Sequence, residues 1–202
     1  MARGKLIVFE GIDGSGMETQ GKRLVKYLEK KGKKAVRLHF PEGNRPLGRF
    51  IYNFLNRKYD LGPQTQFLLF ATDMLKDLER IKKLLKEGTW VIIDRYLTST
   101  ITYQSVAGFP AEKGKKFVKL FDVPRFDRII YLDISPTTSM KRKRKEKKYS
   151  LDRFETNRKF LAKCRARYKK HAKERLLGPW SIIDGEQTRQ EVFEDVKKAL
   201  RI

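Results

Sequence analysis

Apolar positions along the chain fall into two alternating kinds of run. Lys5-Leu-Ile-Val-Phe9, Lys34-Ala-Val-Arg-Leu-His-Phe40, Trp90-Val-Ile-Ile-Asp94, Arg128-Ile-Ile-Tyr-Leu-Asp133 and Trp180-Ser-Ile-Ile-Asp184 are short and largely apolar. Runs of this length bounded by turn residues read as buried strands. Their continuous apolar character suits a parallel sheet covered on both faces. The stretches between them follow the helical period instead. Leu24, Val25 and Leu28 mark a helix over about 17–31 that Gly32 stops, and Pro46 to Leu55 begins with proline in its first turn. From Gln64 to Lys86, residues Phe67, Phe70, Ala71, Met74, Leu75, Leu78, Ile81 and Leu85 recur at spacings of three and four, which predicts one long helix closed by Gly88. Residues 96–122 predict two helices broken near Gly108-Phe-Pro110, Pro136–Leu176 is mostly helical and very basic, and Thr188–Leu200 is a last amphipathic helix. Strands alternating with helices give an α/β fold with a five-stranded parallel sheet and helices on both faces.

Length and composition narrow this picture only a little. The 202 residues fit a single domain, with 40% apolar and 35% charged positions. No apolar run approaches the ~20 residues that span a bilayer, and the N-terminus has no signal-peptide pattern, so the expectation is a cytoplasmic protein without membrane contact. One cysteine, Cys164, leaves no intrachain disulfide, and two distant histidines, His39 and His171, make no zinc site. The formal charge of +23 changes the picture more, because such a surface attracts polyanions, either nucleic acid or phosphorylated small molecules.

Chemistry enters at Phe9-Glu-Gly-Ile-Asp-Gly-Ser-Gly-Met-Glu-Thr-Gln20. This segment follows a buried strand and opens a helix, with Gly11 and Gly16 at the spacing of the phosphate loop G-x-x-x-x-G-K-[ST]. Glycines there let successive N–H groups converge on phosphate oxygens, and the helix N-terminus adds partial positive charge. The next two positions depart from the pattern. Met17 stands where the lysine belongs and Glu18 where the metal-binding hydroxyl belongs, with Thr19 one place late. Lys22 does not substitute, because a residue five positions along a helix is rotated by ~140° and displaced by ~7.5 Å.

The loop at 9–16 resembles that of the thymidylate kinases. The resemblance extends through Phe40-Pro-Glu42 with Gly48 and Ile51, Leu68-Leu-Phe-Ala71, Asp94-Arg-Tyr-Leu-Thr-Ser-Thr-Ile-Thr-Tyr-Gln104, Leu132-Asp-Ile-Ser-Pro136, Asp152-Arg-Phe-Glu155 and Ile182-Ile-Asp184, nearly the whole chain. It implies a P-loop NTPase fold and transfer of phosphate from ATP to dTMP, with magnesium as cofactor and a homodimer as the assembly. It also implies site roles. Gly11, Asp13, Gly14, Ser15, Gly16, Met17, Glu18 and Thr19 would form the ATP loop, with Asp13 between donor and acceptor. Arg95 would hold the acceptor phosphate, and Asp94, with Glu18, would sit near the metal. Phe70 would stack on the base, Tyr103 would fill the space of a ribose 2′-hydroxyl, and Phe40, Pro41, Met74, Ser99, Thr100 and Gln104 would line the dTMP pocket. The basic segment of about 140–153 would be a lid supplying the catalytic arginine, with Arg142, Arg144 and Arg153 as candidates. Met74 replaces an arginine that normally donates to thymine.

Three readings stand on these residues: an active thymidylate kinase, a deoxynucleoside monophosphate kinase of relaxed base choice because of Met74, and a non-catalytic nucleotide- or nucleic-acid-binding protein because of Met17, Glu18 and the charge. Nucleic-acid binding is possible from the charge but is not the expected function. Asp13, Asp94, Arg95, Tyr103 and Arg153 together favour the enzyme, since a pure binder has no evident need of all five.

Overall fold

The computed structural model describes residues 2–146 and 152–202. Five strands form one sheet: β1 (Leu6–Glu10), β2 (Ala35–His39), β3 (Trp90–Asp94), β4 (Arg128–Asp133) and β5 (Trp180–Asp184). All neighbours are parallel and the order is β2-β3-β1-β4-β5. β1 and β3 are buried almost throughout, because helices cover both of their faces. One apolar layer lies under α1 (Met17–Lys30) and α9 (Arg189–Leu200), built on Phe9, Leu24, Ile92, Leu132 and Val196. The other lies under α3 (Pro63–Leu75), α4 (Leu78–Lys86), α5 (Leu97–Val106) and α6 (Ala111–Lys119), built on Val8, Phe67, Met74, Ile93, Tyr96 and Ile101.

The remaining helices are α2 (Pro46–Leu55), α7 (Pro136–Lys145) and α8 (Arg158–Lys173). α5 is buried along its length from Leu97 to Gln104, because α3 and α8 pack on either side of it. The chain leaves β1 toward β2 on one side and reaches β4 on the other, so strand order reverses at β1. In open parallel sheets ligands bind at the carboxyl ends of strands where this reversal occurs.

The strands match the apolar runs closely, but the long helix expected over Gln64–Lys86 is two helices, α3 and α4, separated at Lys76-Asp77. The Lys76 ammonium bonds the Asp73 carbonyl at 3.0 Å, the acceptor that the next helical N–H requires. The apolar spacing runs through the break because both helices bury the same side. The expected lid of about 140–153 begins in α7, and its positions 147–151 lie outside the described residues.

Candidate active site

Glycines set the shape of the loop between β1 and α1. Gly14 and Gly16 have φ of 76° and 97°, a region that costs other residues strain. This turns the backbone so that α1 starts at Met17 with its first N–H groups at the carboxyl edge of the sheet. The Ser15 hydroxyl is buried beneath the loop, close to where a side chain on Gly11 would have to go.

The opposite wall is organised by a buried carboxylate that the motif reading passed over. Glu10 at the end of β1 is fully enclosed and accepts from Thr98, Ser99, the Tyr96 backbone at 3.2 Å and the Tyr168 hydroxyl at 3.0 Å. Burial raises its pKa, and these donors oppose the rise. Glu10 thereby ties the start of α5 to β1, beside Arg95, which lies at φ 62°. A non-glycine residue held there is a feature of functional sites when the surroundings enforce it. Arg95 Nη1 donates to the Gly11 carbonyl at 2.9 Å and Nη2 to Asp13 Oδ1 at 2.8 Å. The Tyr103 hydroxyl donates to the other Asp13 oxygen at 3.1 Å, and its ring lies 5.2 Å from the guanidinium. Burial works against the charge on Arg95, but Asp13 together with Tyr103, Tyr168 and Glu10 outweighs it, so its pKa is raised.

Between these walls is a cleft of about 520 Å³. Of the loop residues, Asp13, Gly14, Gly16, Met17, Glu18 and Thr19 line it, whereas Gly11 and Ser15 lie behind. Of the expected acceptor residues, Phe40, Pro41, Phe70, Met74, Arg95, Ser99, Thr100, Tyr103 and Gln104 all line it. Phe70 is half-buried with its ring in a T-shaped arrangement with Phe54, and Met74 belongs to both the core and the cleft wall. Gln104 and Thr100 are bonded to each other at 3.0 Å.

Other expected roles meet different geometry. Glu18 turns outward along α1 to Lys22 at 2.6 Å, and this partner lowers its pKa. Asp94 is paired at 2.9 Å with Arg37. The two carboxylates expected at a metal are therefore each bound to a cation, and no cluster of three or more metal-ligating side chains occurs among the described residues. Arg142 lies across the loop, donating to the carbonyls of Gly14 at 3.2 Å and Gly185 at 2.9 Å. Arg144 is exposed on α7 and does not reach the cleft. Arg153 turns away to the end of α2, bonding the carbonyls of Phe54 and Tyr59 at 2.8 Å each and Asp60 at 2.9 Å.

The cleft also holds residues that motif reading missed: Arg37, His39 and Tyr52 on one side, and Lys143, Glu146, Asp152 and Glu155 on the other. Lys143 Nζ bridges Glu146 at 2.8 Å and Glu155 at 3.0 Å. Burial, with the Asp13 and Glu155 charges, pushes the Asp152 carboxyl up to about 7. One sequence signal pointed to Arg37, namely a charge in the middle of an otherwise apolar strand. Asp152 and Glu155 stood in a quoted motif without a role.

Comparison with known proteins points to one family. The thymidylate kinase family model matches residues 9–196. The thymidylate kinase of Danio rerio is 30% identical over 196 residues, covering 96% of this chain and 89% of that protein. That of Thermoanaerobacter sp. is 34% identical over 197 residues and covers 96% of each. The solved structure of thymidylate kinase from Candida albicans superposes with a TM-score of 0.79 at 25% identity, covering all of this chain and 92% of that one. With a phosphate loop at the reversal point of a parallel sheet and a match over nearly its full length, the chain has a P-loop NTPase fold and belongs to the thymidylate kinase family.

Proposed function

We propose that this chain transfers the terminal phosphoryl group of ATP to dTMP, giving dTDP for dTTP synthesis. The carrying observation is the Asp13–Arg95–Tyr103 constellation, fixed by Glu10 at the floor of a cleft that the phosphate loop also lines. Phosphoryl transfer needs little covalent chemistry from the protein. It needs the reacting oxygens in line and the charge on the equatorial oxygens neutralised.

In this reading the α1 N-terminus and the loop N–H groups receive the ATP phosphates. Arg95 holds the dTMP phosphate, because a planar guanidinium matches two phosphate oxygens at once. Asp13 aims Arg95 and lies between donor and acceptor, while Tyr103, packed by Phe154 and Phe160, bounds the sugar. Phe70 offers its ring to the base and Met74 an apolar contact. The lid excludes water during transfer. Arg95 and Lys143 already engage carboxylates, Asp13 and Glu155, beside which a substrate phosphate binds.

Thymidylate kinases typically work with magnesium and ATP. Among the described residues no side chains form a cage for the ion, because Glu18 and Asp94 are committed to Lys22 and Arg37. A homodimer belongs to the same reading, since α2 and α3 expose Phe50 and Leu68, apolar surface that a second copy would cover. No helix among the described residues is long and apolar enough to cross a membrane.

The test is a coupled ATP-consumption assay across the nucleoside monophosphates, on the parent and on Arg95→Ala. dTMP should support turnover, and the variant should lose roughly 10- to 100-fold in kcat/KM, since a charge-assisted phosphate contact contributes about 1.5–3 kcal/mol. An absence of turnover with every monophosphate would sink the proposal.

A further inference from the structure

Position 17 is methionine where phosphate loops carry lysine, and α1 supplies no replacement, since Lys22 is spent on Glu18. A cation reaches this end of the cleft from a different element. Arg37 stands in the middle of β2, where register places it opposite Ile92, with His39 opposite Asp94. Side chains alternate along strands, so Arg37, Ile92 and Asp94 share the face that α1 covers. An arginine on that face must pass between sheet and helix, and it runs past Gly21 of α1. A Cβ at position 21 would lie 3.4 Å from both Cδ and Nε of Arg37.

Among the described residues the guanidinium is held at one corner only. Nη2 donates to Asp94 Oδ2 at 2.9 Å, while Nε is buried without a partner. Arginine keeps its charge at any physiological pH, and a buried N–H left unpaired is costly. That arrangement suits a group with a further partner to bind. Arg37 lines the cleft beside Gly16, Met17, Glu18 and Thr19, the turn where a nucleotide's outer phosphates meet a phosphate loop. Its positive charge contributes, after Lys22, to holding the Glu18 carboxyl below its ordinary range. Lys143 also faces the cleft, but Glu146 and Glu155 engage its ammonium on the lid side.

We propose that Arg37 is the donor-side cation of this enzyme: its guanidinium binds the outer phosphates of ATP in place of the lysine missing at position 17, with Asp94 as its tether. The inference rests on the ATP-dependent transfer proposed above and deepens it. The same pairing explains why Asp94 is committed to a guanidinium, and it makes Met17, Gly21 and Arg37 one connected departure from the usual loop. Met17 removes a competing charge, and Arg37 delivers the charge from β2, past Gly21.

The experiment measures calorimetric affinity for an ATP analogue with a nitrogen bridge between its outer phosphates, together with KM for ATP and for dTMP. The proteins are the parent, Arg37→Met, Arg37→Lys, and Arg37→Met combined with Met17→Lys. Arg37→Met should weaken the analogue by about tenfold or more and raise KM for ATP in step, with KM for dTMP within about twofold. Arg37→Lys should keep most of the affinity, and the double variant should recover it by restoring a cation to the loop. Analogue affinity unchanged in Arg37→Met, or equal losses for ATP and dTMP, would overturn the proposal. So would a double variant that melts like the parent yet does not recover. A parent without turnover whose analogue binding still depends on Arg37 would refute the transfer reading and leave this one standing. Normal turnover that is indifferent to position 37 would do the reverse.

Discussion

Asp152 shows how much a single residue's surroundings decide. Its carboxylate accepts from the backbone of Phe154 at 2.8 Å and of Glu155 at 3.0 Å, yet burial and two neighbouring carboxylates raise its pKa to about 7. Six carboxylates among the described residues line the cleft, so the state of this one sets how strongly an incoming phosphate is repelled. Below pH 7 Asp152 is mostly protonated. Above it a further negative charge enters the cleft. The ratio of KM for dTMP between the parent and Asp152→Asn should therefore stay level below about pH 6 and rise above pH 7 by about three- to tenfold, roughly 1 kcal/mol at intermediate effective dielectric. Asparagine keeps the acceptor oxygen for both backbone bonds, so the fold should be unaffected. Taking the ratio removes the titration of dTMP itself. A ratio that is flat from pH 5.5 to 8.5 would show that Asp152 does not titrate beside the substrate.

At the scale of elements, what the sequence disclosed depended on where the decisive contact lay. Strands were legible because each is a short apolar run in a doubly covered sheet, and Pro110 and Gly108 announced the break between α5 and α6. The break between α3 and α4 was not, because Lys76 caps it through its own side chain while the apolar stripe continues. The cleft floor was legible as a motif, but the pairing of Arg37 with Asp94 was hidden, since it spans two strands far apart in sequence. Arg153 was misleading for the same reason. Its place after the basic run suggests a lid arginine, whereas its side chain caps the carboxyl end of α2 and lies 3.8 Å over the Phe54 ring. Removing it leaves those carbonyls short of donors. Arg153→Met should thus lower stability by about 1.5–3 kcal/mol, some 3–12 °C in melting temperature for a chain of this size, with a smaller loss of kcat than Arg95→Ala gives. An unchanged melting temperature with kcat down about 100-fold would return Arg153 to the transfer step.

At the scale of the whole molecule, a formal charge of +23 surrounds a cleft lined by three cations and six carboxylates among the described residues. The excess positive charge therefore lies elsewhere on the surface, where it draws anionic nucleotides in at long range without holding them. It also means that any cation forced into the interior on acidification works against a strongly positive shell. His171 of α8 is such a group. It is buried with neither ring nitrogen bonded, and burial, with the charge of Lys115, lowers its pKa from 6.5 to about 4 despite Glu174 at 3.8 Å. Its folded pKa lies below its unfolded one, so between these values the unfolded chain binds the extra proton. Its contribution to stability is complete above pH 6.5 and declines as pH falls toward 4. Asp152 and Glu10, whose pKa values are raised, contribute in the opposite sense over the acidic range, so the parent's own curve mixes the two. His171→Leu separates them, because an apolar side chain gives up no hydrogen bond there. Urea unfolding should find the variant and parent similar at pH 7.5 and the variant more stable by about 2 kcal/mol at pH 5, after subtraction of their difference at pH 7.5. If that difference stays constant with pH, His171 is not the buried neutral imidazole that the packing of α8 requires.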